Sequence, residues 1–150
     1  METRKPLRSL NSDSATYVDF VNKSRGHANA WWLDFSGNPV SYGDIQPNGT
    51  LQMDTYLTHP WIFRATENGA VLAANQQEVY YPTLTEYPEY ITVNITTPVY
   101  SLHECCLMVI RRLVKGKDLH KLDIPESLKH DLLKSPNLSK ELEILNSNAP

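Results

Sequence analysis

At 150 residues, 41% hydrophobic and 21% charged, the chain is long and apolar enough for one globular domain or two small ones, and too apolar to remain disordered. A formal charge of −3 leaves no basic footprint, which argues against nucleic acid and anionic membrane surfaces as partners. The longest apolar run is too short to span a bilayer, and the opening METRKPLRSLNSDS lacks the apolar segment of a secretory signal, so the expected location is cytoplasmic and nuclear.

The predicted elements change character once along the chain. Between Tyr17 and Thr97, short runs rich in Val, Ile, Tyr, Trp and Thr follow one another: YVDFVN, NAWWLDF, TLQMDTY, PWIFRAT, AVLAA, EVYYP and YITVNIT. Turn residues separate them at Gly26, Ser36-Gly37-Asn38-Pro39, Pro47-Asn48-Gly49 and Asn68-Gly69. Several short strands at close spacing imply a β-sandwich of about seven strands. From Tyr100 the period becomes 3.6, with expected helices over Leu102–Lys115, Lys117–Leu122, Pro125–Lys134 and Pro136–Leu145. Pro125 and Pro136 suit first-turn positions, and Gly116 suits a stop for the first helix.

The fold class is therefore α+β: an N-terminal β-sandwich, then a small three-helix domain, with the last helix packing back on the β domain. The expected boundaries are a tail over 1–15, a β domain over 16–98, a helical domain over 99–135 and a C-terminal helix and tail over 136–150. A helical part of about 45 residues is too small to stabilise itself through its own core and is expected to borrow apolar contact from elsewhere.

Three features bear on function. In SLHECCLMVI, Leu102, Cys106, Ile110 and Leu113 recur at i, i+4, i+8 and i+11, one face of a helix. Spacing does not say whether that stripe enters the chain's own core, its usual destination, or a partner's groove. Between Trp32 and Trp61 lie Trp32, Tyr42, Tyr56, His59 and Trp61, amphipathic rings of the kind that favour binding surfaces, although tryptophans in strands more often fill a core. Finally, Cys105 and Cys106 are adjacent, which disfavours a disulfide between them and reads as reduced thiols.

Enzyme signals are nearly absent. There is no P-loop, dinucleotide fingerprint, nucleophile elbow or zinc-type helix motif, and the five histidines are scattered. His103 with the two cysteines on a single helix cannot supply a tetrahedral metal site without ligands from elsewhere, and a Cys106 nucleophile would need an exposed thiolate beside a base, against which its place on an apolar stripe argues. No cofactor and no metal are expected.

The phrases LRSLNS (Leu7 to Ser12), WLDFSG (Trp32 to Gly37), HPWIFR (His59 to Arg64), NITTPVYSL (Asn94 to Leu102) and RRLVK (Arg111 to Lys115), in that order, resemble the von Hippel–Lindau tumour suppressor family over nearly the whole chain. The Leu102 helix has the shape of a BC-box, by which substrate receptors grip elongin C. The resemblance implies a non-catalytic substrate-recognition subunit of an elongin B/C–cullin-2 type ubiquitin ligase, with a RING-box protein, that reads 4-hydroxyproline in hypoxia-inducible factor α. It implies a hydroxyproline site at Trp32, Tyr42, Asp54, Thr55, Tyr56, His59 and Trp61, with Thr55 and His59 reading the hydroxyl. It further implies an elongin C face at Leu102, Cys106, Leu107, Ile110 and Arg111, buttressed by Arg112, and a cullin segment at Leu122, Asp123, Ile124 and Pro125.

Two departures stand out: Asp54 where the vertebrate pattern has His, and Gly43 where it has Pro. Asp54 is expected to alter preference for charged residues beside the hydroxyproline, and Gly43 to loosen the loop carrying Tyr42. The competing reading is a β-sandwich module binding carbohydrate or unmodified peptide, with a structural helical cap.

Overall fold

A computed structural model describes residues 6–114, 116–133, 138 and 141–143. The chain divides into two units, one drawn from Met1–Pro98 and Asn137–Pro150, the other from Val99–Pro136.

The first unit is built on seven strands: β1 (Ala15–Asn22), β2 (Ala28–Leu33), β3 (Pro39–Ile45), β4 (Thr50–Tyr56), β5 (Trp61–Ala65), β6 (Val71–Ala74) and β7 (Ile91–Thr96). Their order is β3-β2-β5-β6-β7-β1-β4. One sheet runs β4-β1-β7-β6 and the other β5-β2-β3, joined because β6 pairs with both β7 and β5. β1 and β7 run parallel, while the other pairs are antiparallel.

Alternation decides which side chains face inward. In β1, Thr16, Val18, Phe20 and Asn22 are buried while the residues between them are partly open. Phe20 is the hub, its ring 5.2 Å from Trp61, 4.9 Å from Phe63 and 5.8 Å from Tyr80. Such a buried ring stabilises the fold by about 3–5 kcal/mol against truncation to Ala.

β5 is buried from Trp61 to Arg64 because it is covered on both faces. Trp61 and Phe63 enter the main core, whereas Ile62 joins Leu7, Leu33 and Leu142 in a second cluster flanked by Trp31, Val79 and Leu138. Arg64 Nε donates to Glu141 Oε2 at 3.0 Å beside that cluster. Leu138 and Glu141–Glu143 are helical, and they pack on the β unit as expected of the last helix, whose other residues lie outside those described.

Two strand assignments differ from the sequence reading. β3 forms where Pro39 and Gly43 suggested turn and loop, because an edge strand tolerates both residues and keeps most of its side chains in solvent. EVYYP, with its β-forming residues, contributes only an isolated bridge from Tyr80 to Trp61.

In the second unit, α1 (Leu102–Leu113) starts at a full capping box: Ser101 Oγ accepts from the Glu104 amide, and the Glu104 carboxylate accepts from the Ser101 amide. The helix ends at an extended Val114 rather than at Gly116, which instead opens a 3-10 helix (Gly116–Lys121). α2 (Glu126–Leu133) follows, with the Pro125 carbonyl accepting from the Leu128 and Lys129 amides at 3.0 and 3.2 Å. Asp131 ties α2 to α1, its side chain 3.1 Å from His103 Nε2 and its carbonyl accepting from Arg111 Nη2 at 2.8 Å. Leu119 and Leu132 are buried, whereas no residue of α1 is.

Candidate functional site

Four strands and the β4–β5 connection bring the predicted rings together. Trp32 in β2 stacks on His59 at 5.2 Å and 27°, Tyr42 in β3 meets Trp61 edge-on at 5.1 Å, and Tyr56 at the end of β4 lies 5.0 Å from His59. Trp32 and Tyr42 are 6.3 Å apart, which links the two groups. Tyr42 is 44% exposed, while Thr55, His59 and Trp61 are buried. The group thus joins an exposed ring to buried polar side chains.

Local chemistry holds Tyr42 at that rim. Ser41 faces Trp31 and Asp44 faces Asn29, so Tyr42 and Gly43 together oppose Ala30 in a bulge. Gly43 takes φ +101, which glycine adopts readily and other residues rarely. The glycine does not simply loosen a loop; it provides the backbone turn of the bulge.

The polar groups below the rings have defined hydrogen-bonding roles. Trp61 Nε1 donates to Thr55 Oγ1 at 3.1 Å, so the Thr55 hydroxyl proton remains available to a ligand. His59 Nε2 lies 3.1 Å from the Asn11 carbonyl oxygen, which accepts only, so Nε2 carries the proton and Nδ1 is the acceptor. Burial pushes the His59 pKa below its ordinary value, against the smaller upward pull of the Asn11 carbonyl, and favours this neutral ring. Thr55 thus offers a donor and His59 an acceptor, each held against rings of this group.

The segment that orients them lies within LRSLNS, none of whose residues the sequence reading placed in the site. Ser9, fully buried, accepts from Trp32 Nε1 at 2.7 Å and donates to the Leu33 carbonyl at 2.6 Å. Thr58 Oγ1 accepts from the Asn11 amide at 3.0 Å and donates to its carbonyl at 2.8 Å. Phe35 stands edge-on to His59 at 5.5 Å. Ser9 and Asn11 follow no periodicity, and nothing in their local sequence marks a role 23 to 48 residues away.

Asp54 does not join this group. It alternates with Thr55 in β4 and accepts from Tyr90 Oη at 2.8 Å. Tyr56, which also flanks Thr55, reaches His59 from the end of the strand, whereas Asp54 is engaged by Tyr90 away from these rings.

On α1 the stripe is open. Leu102 is 82% and Leu113 72% exposed, Cys106 is exposed, and Leu107 and Ile110 are half-buried. Arg111 faces α2 through its bond to Asp131, and Arg112 is exposed. Leu122 and Ile124 are half-buried and Asp123 and Pro125 exposed in the link between the 3-10 helix and α2.

Comparison with known proteins shows the family. Residues 7–87 match the VHL beta domain, and residues 100–148 match the VHL box domain. The chain is also 25% identical over 134 residues to Protein Vhl of Drosophila melanogaster, covering 78% of this chain and 75% of that protein. The chain belongs to the VHL family. This family is one of substrate-recognition adaptors rather than catalysts, and its VHL box is an elongin-binding element. The VHL beta-domain match spans every ring of the site and the Ser9–Asn11 segment that orients them, and the VHL box match contains the whole open stripe of α1. Residues 88–99, which carry Tyr90 and β7, lie between the two VHL matches.

Proposed function

We propose that this VHL-family chain is the substrate-recognition subunit of an elongin B/C–cullin-2 ubiquitin ligase with a RING-box protein, and that it binds 4-hydroxyproline in hypoxia-inducible factor α and directs its ubiquitination. The observation that carries the reading is the buried pair Thr55 and His59 beneath the rings of Trp32, Tyr42, Tyr56 and Trp61. Proline and hydroxyproline differ by one hydroxyl, which accepts from the Thr55 hydroxyl and donates to His59 Nδ1. The aromatic walls take the pyrrolidine ring. Unhydroxylated proline leaves both polar groups unpaired in a buried site, at about 1–3 kcal/mol each. Apolar walls alone discriminate far less.

The open stripe of α1 supports the second half of the reading. Leu102 and Cys106 serve as anchors for elongin C with Leu107, Ile110 and Arg111 beside them, and the helical unit gains apolar cover it does not supply itself. Leu122 to Pro125 form the segment that selects the cullin. The β domain over 16–98 thus recognises prey and the helical domain over 99–135 recruits the ligase, in the cytoplasm and nucleus.

Separation of these functions tests the assignment. With elongins B and C co-expressed, Thr55→Val is expected to lose preference for hydroxyproline and retain elongins. Cys106→Asp is expected to lose elongins by placing a charge on the apolar stripe. If Thr55→Val keeps the preference, or Cys106→Asp keeps the elongins, the corresponding half of the reading fails.

A further inference from the structure

A second ring cluster lies on the outer face of the β4-β1-β7 sheet. Tyr17 of β1 has Tyr87 and Tyr90 each at 5.5 Å, edge to face. Asp54 faces Tyr17 across the β1–β4 pair and holds the Tyr90 hydroxyl. Tyr87 is 71% exposed, so its ring stays open, whereas Tyr17 and Tyr90 are half-buried and fixed.

The segment carrying Tyr87 and Tyr90, EYPEY from Glu86 to Tyr90, sets an acid before each aromatic on either side of Pro88. It is anchored before it begins: Thr85 Oγ1 accepts from the Tyr17 amide at 2.8 Å and lies 2.8 Å from Thr16 Oγ1. A turn closes within it, from the Glu89 amide to the Glu86 carbonyl at 2.8 Å.

The charged neighbours that act on Tyr90 are acidic, Asp54 above all. Among the described residues, no lysine or arginine forms an ion pair with Asp54, Asp19, Glu86 or Glu89. Asp19, on the same face of β1 two residues beyond Tyr17, has one carboxylate oxygen shut off from solvent with no hydrogen-bond partner. Electron-rich ring faces beside carboxylates attract organic cations, and a guanidinium both stacks on rings and forks onto a carboxylate.

We infer that Tyr17, Tyr87, Tyr90 and Asp54 form a second binding site, separate from the Thr55–His59 site, that takes an arginine side chain of a partner peptide. The site gives the chain a handle on basic segments of a bound protein that is independent of proline hydroxylation.

The test titrates the full chain, with its tyrosine rings isotopically labelled, with acetyl-Gly-Gly-Arg-Gly-Gly-amide and with the same peptide carrying citrulline, the neutral near-isostere. Saturable shifts at Tyr17, Tyr87 and Tyr90 are expected, with the arginine peptide bound about tenfold or more tighter than the citrulline one. Tyr87→Ala, at an exposed position, and Asp54→Asn are each expected to weaken binding several-fold in protein whose spectrum remains folded. Equal binding of the citrulline peptide, absence of saturable shifts, or indifference to both substitutions overturns the inference.

Discussion

Replacing Gly43 by Pro, the residue of the related vertebrate pattern, is expected to damage this site. Gly43 stands at φ +101, and Pro is held near φ −65°, so the bulge opposite Ala30 cannot survive unchanged. Pro also removes the amide that donates to Ser41 Oγ at 3.3 Å. Gly43→Ala isolates the backbone contribution, because a Cβ there meets nothing within 4 Å and the cost is that of the left-handed region alone, about 1–2 kcal/mol. β3 is an edge strand paired only with β2, so the fold relieves the strain by giving up the bulge locally. Tyr42 then leaves Trp61 and Trp32, now 5.1 and 6.3 Å away, and each such ring pairing contributes about 0.5–1.5 kcal/mol. Affinity for a hydroxyproline peptide is expected to fall about two- to tenfold for each ring pairing broken, as read by fluorescence anisotropy, with urea unfolding reporting stability. A Gly43→Pro protein as stable as its parent and equal in peptide binding would refute the bulge as the device that positions Tyr42.

Other expectations follow from the same geometry. The buried His59 has a depressed pKa, so the stability tied to its neutral ring is present above its ordinary 6.5 and is lost as pH falls through the folded value. Hydroxyproline binding should weaken over the same fall, measured from about pH 8 to about pH 5, since a proton on Nδ1 removes the acceptor; binding that strengthens with acidification contradicts the role. Leu102→Ala should leave the melting of the free chain within about 0.5 kcal/mol because the side chain is 82% exposed, while weakening elongin C binding by about 2 kcal/mol in calorimetry. Tyr90 is pushed up to about 12, first by its hydrogen bond to Asp54 and then by burial and nearby charge. Its contribution to stability is complete below pH 10 and is lost as pH rises through about 12, and Asp54→Asn should return its titration toward 10 by tyrosinate absorbance. A titration unchanged in Asp54→Asn would mean the bond is absent.

The β-to-α organisation was legible because it rests on periodicity. Alternation in β1 and the capping box at Ser101 are local signals that packing reinforces. β3 was obscured by Pro39 and Gly43, residues that read as turn in isolation and are tolerated here at a sheet edge. EVYYP erred in the other direction, since β-forming residues without a neighbouring strand in register make only a bridge. The face of Asp54 is available from strand alternation in TLQMDTY, which turns Leu51, Met53 and Thr55 inward and Asp54 outward, whereas the family resemblance at that position points to the site. The orientation of His59 depends on Asn11, a contact 48 residues distant that no local pattern encodes. Whether α1 buries its stripe also lay beyond spacing; in the folded unit Leu102, Cys106 and Leu113 stay exposed and Ile110 is half-buried.

The central claim is that Thr55 and His59 read a hydroxyl, and the most direct measurement compares two peptides identical except for 4-hydroxyproline or proline at one position. They are titrated into this chain co-expressed with elongins B and C. A preference of about a hundredfold or more for the hydroxylated peptide is predicted, the expected cost of leaving both buried groups unpaired. Equal affinity for the two peptides, or binding of neither by a folded complex, would contradict it.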